Sequence, residues 1–179
     1  MSRYEDLLVE LRREFPRFRV VDKSDSRLQR AIHKALVLVT FGGQRGYLSD
    51  YVTTIGQTVY VCTDWHARSD GDRWATMRHE AVHLRQFRRW TVPLMGFLYL
   101  MIPLPLGLSY FRMRFEREAY EETIRCDHEL YGIDYVRGIL RAHVIEQFTG
   151  PSYGWMWPFR RSLERWFEAQ VDALAPSGN

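Results

Sequence analysis

Cysteine is nearly absent from this chain: Cys62 and Cys126 are the two in 179 residues. They lie far apart and form neither a C-x-x-C pair nor a disulfide framework, so a reduced, cytoplasmic setting is the expectation. A secretory leader is not visible either. Residues Met1 to Glu10 carry Glu5, Asp6 and Glu10 and contain no apolar core, which a signal peptide requires. An excess of either charge is also lacking: 25 Lys and Arg against 22 Asp and Glu leave a net charge of +3, which permits attraction to phosphates or anionic lipids without implying either. Hydrophobic residues, by contrast, make up 46% of the chain, enough for one domain with a sizeable core spanning 1–179.

The stretch around which the rest is organised is Arg78-His79-Glu80-Ala81-Val82-His83-Leu84-Arg85-Gln86. A helix advances about 100° per residue, so His79 and His83 project from one face, one turn apart, and can grip a single cation. Glu80 lies beside that face, where it can reach a metal-bound water without ligating the metal. This H-E-x-x-H spacing supplies two zinc ligands and a general base. A motif so short also arises by chance in helices whose histidines are ordinary, so it turns on a third ligand.

Before the motif, Tyr4, Leu7, Leu8, Leu11 and Phe15 recur at helical spacing and Pro16 ends the run. Residues Phe18 to Val21 read as extended. Ser24-Asp25-Ser26 offers a cap for a second helix through Leu28, Ile32 and Ala35, which should back a sheet. The β-branched run Leu36 to Thr40, stopped by Gly42-Gly43, predicts a strand. Tyr51 to Ile55 and Thr58 to Cys62 flank Gly56-Gln57 as a hairpin or bulged strand. Ser69-Asp70-Gly71-Asp72 then breaks the chain and caps a helix from about Arg73 to Trp90.

Thr91 to Phe111 contains no charged residue and is bracketed by Arg88-Arg89 and Arg112-Arg114. Its length would suffice to cross a bilayer, but Pro93, Gly96, Pro103, Pro105 and Gly107 argue against one continuous helix. A hydrophobic loop or broken hairpin inserted between two helices is the expectation, and it leaves open a peripheral or re-entrant membrane contact flanked by arginines.

From Arg112 to about Tyr131 the helical signal returns. Phe111, Phe115, Glu118, Ala119, Glu122 and Cys126 share a third of the circumference, whereas Glu116 and Glu121 fall outside it. Carboxylates on an apolar face need a positive partner, either a metal or arginines. Past Gly132, a helix through Tyr135, Ile139, Ala142 and Ile145 to Phe148 should stop at Gly150-Pro151. An aromatic patch, Tyr153 to Phe159, leads into a last helix, Phe159 to Leu174, with a frayed end at Pro176 to Asn179. These elements describe an α+β fold: a small mixed or antiparallel sheet packed on the motif helix and a backing helix, then a glutamate-bearing helix and further C-terminal helices.

An H-E-x-x-H helix followed by a separate helix with a glutamate resembles the gluzincins, the thermolysin-like branch of the zinc metallopeptidases. The extended His79-Glu80-Ala81-Val82-His83-Leu84-Arg85-Gln86 is similar to the H-E-x-x-H-x-x-Q of small bacterial minimal gluzincins, and the likeness covers roughly 25–130. Glu118-Ala119 looks like the Glu-Ala-Asp of the membrane-embedded prenyl-protein peptidase and heat-shock protease group, with Tyr120 here in place of the Asp. The resemblance implies a zincin-like fold, one zinc ion held by His79, His83 and Glu118, Glu80 as general base, and Glu122 orienting the first histidine. It also makes a single membrane crossing by Thr91 to Phe111 untenable, since His83 and Glu118 would then lie on opposite sides.

The function so implied is hydrolysis of peptide bonds in a peptide or protein substrate, laid extended along a sheet edge such as Thr58 to Cys62. Tyr120, His128, His143 and Tyr153 are candidates for stabilising the oxyanion. Cys62 reads as a buried small hydrophobe, and His33 and His66 as structural or surface residues. The alternative is a non-catalytic zinc-binding scaffold that docks to a membrane surface or partner protein. A nucleic-acid role through Arg85, Arg88, Arg89, Arg112, Arg114 and Arg117 is weaker still.

Overall fold

The computed structural model describes residues 2–39, 48–49, 51–100, 109–150 and 156–174. The fold is α+β, mostly helical with one three-stranded mixed sheet. The chain divides into two compact units, Met1–Arg89 and Trp90–Asn179.

The first unit opens with helix α1 (Arg3–Glu14), fixed at its start by a reciprocal cap in which the Ser2 hydroxyl accepts from the Glu5 N–H and the Glu5 carboxylate accepts from the Ser2 N–H. Strand β1 (Arg19–Asp22) follows, then helix α2 (Arg27–Val39), whose cap is the Ser26 hydroxyl, 3.3 Å from the Gln29 N–H. The strand expected at 36–40 is not formed: Leu36 to Val39 complete α2, while Thr40 and the Gly42-Gly43 turn lie outside the described residues. A β-branched run carries only a weak preference, which a helix already nucleated upstream overrides.

Strands β2 (Thr53–Ile55) and β3 (Thr58–Val61) form the hairpin around Gly56-Gln57, with Gly56 at φ 62°, a conformation that suits glycine at the first position of a two-residue turn. The sheet order is β1-β3-β2, with β1 parallel and β2 antiparallel to β3. Thr58 to Val61 is therefore the central strand, paired on both sides, and cannot be the open edge expected to receive a substrate. Helix α3 (Asp70–Trp90) starts three residues earlier than its charge pattern suggests, because the Ser69 hydroxyl caps the Asp72 N–H at 3.1 Å. It is tied to α1 by Glu14, which accepts from Arg85 at 2.8 Å and pairs with Arg88 at 3.2 Å.

In the second unit Thr91, at φ 61°, separates α3 from helix α4 (Val92–Leu100). The expected broken apolar segment is thus helical over its first half, while 101–108 lie outside the described residues. Among the described residues no helix is long and apolar enough to cross a membrane. Helix α5 (Tyr110–Tyr135) is interrupted at Gly132 (φ 82°, ψ 176°), and a π-helical turn (Val136–Leu140) leads into α6 (Arg141–Thr149). Helix α7 (Arg160–Leu174) closes a core in which Ile124, Val136, Val144, Phe148, Leu163 and Phe167 are essentially sealed from solvent.

Candidate metal centre

Helix α3 places the motif as its spacing dictates. The His79 and His83 rings lie 5.1 Å apart, edge to face, on one side of the helix. His83 is buried, and its Nδ1 sits 2.9 Å from Gln86 Oε1, one turn on. An amide oxygen only accepts, so this contact puts the imidazole proton on Nδ1 and leaves Nε2 as the donor atom for a cation. Gln86 is itself 4% exposed. The eighth residue of the H-E-x-x-H-x-x-Q run thus orients the second histidine.

Glu80 is buried beneath the sheet side of α3, and the Thr54 hydroxyl donates to its Oε2 at 2.6 Å. Lys23, which follows β1 and is held there by its N–H bond to the Val61 carbonyl, is fully buried. Burial pushes its ammonium down to about 8, against an opposing pull from the Glu80 carboxylate. Cys62, also fully buried, has its thiol pushed up to about 11 by burial and its contact with Asp64. That keeps it a neutral thiol, in line with its reading as a small core residue.

Among the described residues one group offers three donors close enough for a metal ion: His79, His83 and Glu116, whose ligating atoms lie within 4.8 Å of one another. Zinc holds nitrogen and oxygen ligands at about 2 Å, so its ligands stand roughly 3–4 Å apart, the same order as the 4.8 Å within which these atoms lie. The acid in this group is Glu116, which is 3% exposed. Glu118, the third ligand implied by the resemblance, is exposed on α5 and is not a member of the group. Glu122 is half-buried and pairs with Arg125 at 3.3 Å, the arginine-pairing reading of that position.

Glu116 lies off the face that carries Glu118 and Glu122, because α5 has more than a single buried stripe. The helix buries two: Phe115, Ala119 and Cys126 on one, and Met113, Glu116, Tyr120, Ile124 and Asp127 on the other. The second stripe is also written at 3.6-residue spacing and was the signal available. Of the other candidates, Tyr120 packs its ring 5.4 Å from Phe148, His128 is half-buried and His143 is exposed on α6. Tyr153 lies outside the described residues. His66 is exposed and 3.2 Å from Asp22, and His33 is half-buried on α2. The chain matches no family model, no curated protein and no solved structure.

Proposed function

We propose that this chain is a zinc-dependent peptide hydrolase in which His79, His83 and Glu116 hold one ion and Glu80 is the general base. The observation that carries this reading is a three-member donor group, His79 and His83 of α3 with Glu116 of α5, together with a buried acid, Glu80, next to the first histidine on α3. Bound there, zinc would supply a Lewis acid that polarises a substrate carbonyl and acidifies water.

The protein's own groups supply the rest. Gln86 fixes the tautomer and orientation of His83. Glu80, whose Oε2 accepts from the Thr54 hydroxyl, takes a proton from the attacking water and delivers it to the departing amine nitrogen. Strand β2 is the edge beside this acid. In a two-residue hairpin the flanking pair Ile55 and Thr58 exchanges hydrogen bonds, so the next residue, Thr54, turns its N–H and C=O away from β3. An extended peptide can pair with those outward groups, next to the residue whose side chain touches Glu80.

Zinc analysis and peptide hydrolysis on the purified protein test the reading. One equivalent of zinc, chelator-sensitive cleavage restored by zinc, loss of zinc in Glu116→Ala and retention in Glu118→Ala are expected. Failure of the wild type to hold zinc would overturn it, and zinc lost in Glu118→Ala but kept in Glu116→Ala would move the third ligand.

A further inference from the structure

The contact between Thr54 and Glu80 joins residues 26 apart in sequence, one on an edge strand and one on the motif helix. Both side chains are buried, Thr54 at 8% and Glu80 at 5% exposure, so water does not compete freely for either. A threonine hydroxyl has a single proton to give, and here it goes to Oε2.

We infer that Thr54 is a positioning residue for Glu80: by donating to Oε2 its hydroxyl fixes the rotamer of the carboxylate on the motif helix. This inference rests on the hydrolase reading and adds to it a residue outside the motif. Valine at position 54 has the same branched shape and strand preference but no proton to donate, so it removes the contact while leaving the strand's packing in place. Serine keeps the hydroxyl and loses one methyl.

The test compares the wild type with Thr54→Val and Thr54→Ser, using bound zinc, thermal midpoint, kcat and KM on a peptide substrate, and crystal structures of the variants. The expected result is a Thr54→Val enzyme with full zinc, KM within about twofold of wild type and kcat lower by roughly tenfold or more, since a misplaced catalytic group is costly at small displacements. Thr54→Ser should recover kcat to within a few-fold, and the structure of Thr54→Val should show the Glu80 carboxylate rotated from its wild-type position. A Glu80 side chain unmoved in Thr54→Val overturns the inference whether or not the protein is a hydrolase. An active wild type whose kcat survives Thr54→Val, or whose loss lies wholly in KM, overturns it alone. If Glu80 moves in Thr54→Val but the wild type neither binds zinc nor cleaves peptides, the hydrolase reading fails and the catalytic part of the inference with it.

Discussion

The two units differ in what they bury. Among the described residues, seven buried polar or charged side chains belong to the N-terminal unit (Lys23, Gln29, Thr54, Thr58, Glu80, His83 and Gln86), against three in the C-terminal unit (Ser109, Glu116 and Asp127). Desolvating such groups is costly unless each meets a partner, and the N-terminal partners are specific: threonine to glutamate, glutamine to histidine. The α5–α7 core is instead almost wholly aliphatic and aromatic, with Phe148, Phe167 and Val144 at 0% exposure. Polar burial therefore concentrates in the first unit and apolar burial in the α5–α7 core.

The largest expected effect tests the chemical side. Glu80→Gln should lower peptide turnover by roughly 10²–10⁴-fold while leaving zinc content and the thermal midpoint nearly unchanged, as assays on the purified variant would show. Full turnover in this variant would assign the motif a structural role.

The apolar side should respond in the opposite way. Truncating Phe167 to Ala should cost about 3–5 kcal/mol by urea unfolding, with zinc per folded molecule preserved. A loss under about 1 kcal/mol would mean that the core repacks easily and that the contrast between the units is weaker than their burial suggests.

Gly132 sharpens the comparison within the second unit. At φ 82° and ψ 176° it occupies a region open essentially to glycine, although nothing lies within 4 Å of the place a Cβ would take. Gly132→Ala should therefore cost about 1–3 kcal/mol through backbone strain alone, measurable by the same unfolding experiment, and an unchanged midpoint would refute a strained break at that residue.

The smallest effect is on pH dependence. Lys23 drops from 10.5 to about 8 on folding, so between these values the unfolded chain binds the extra proton and stability rises with pH. Cys62 climbs from 9.0 to about 11, so above pH 9 the folded protein holds a proton that the unfolded chain releases, and stability falls. The two oppose each other above pH 9. Stability should increase by roughly 1 kcal/mol from pH 8 to 9 and then level off. Lys23→Met should abolish that increase in pH-resolved thermal unfolding; a persisting rise would assign it to another group.

Local rules made several parts legible. Helix α1 up to Pro16, the hairpin about Gly56, the capped start of α3 and the break at Gly132 all follow from residue-level preferences, and the structure has each. The run at 36–39 went the other way, because its β preference is worth little against continuation of α2. The role of β3 was illegible for a different reason. Alternation of side chains reports which residues share a face, not which strands lie on either side, and β1 pairs parallel to β3 from a distant point in the chain.

What the sequence by itself determined is the part of the site carried by one helix: the i, i+4 histidines, the acid between them and the glutamine one turn on are fixed by the 3.6-residue repeat once α3 forms. What only the tertiary structure decided is everything that reaches that helix from elsewhere in the chain: Glu116 rather than Glu118 in the donor group, and Thr54 and Lys23 about Glu80. The physical reason is range. Periodicity orders neighbours within a few turns, whereas a helix buried along two stripes carries acids on more than one face, and the repeat alone does not choose among them.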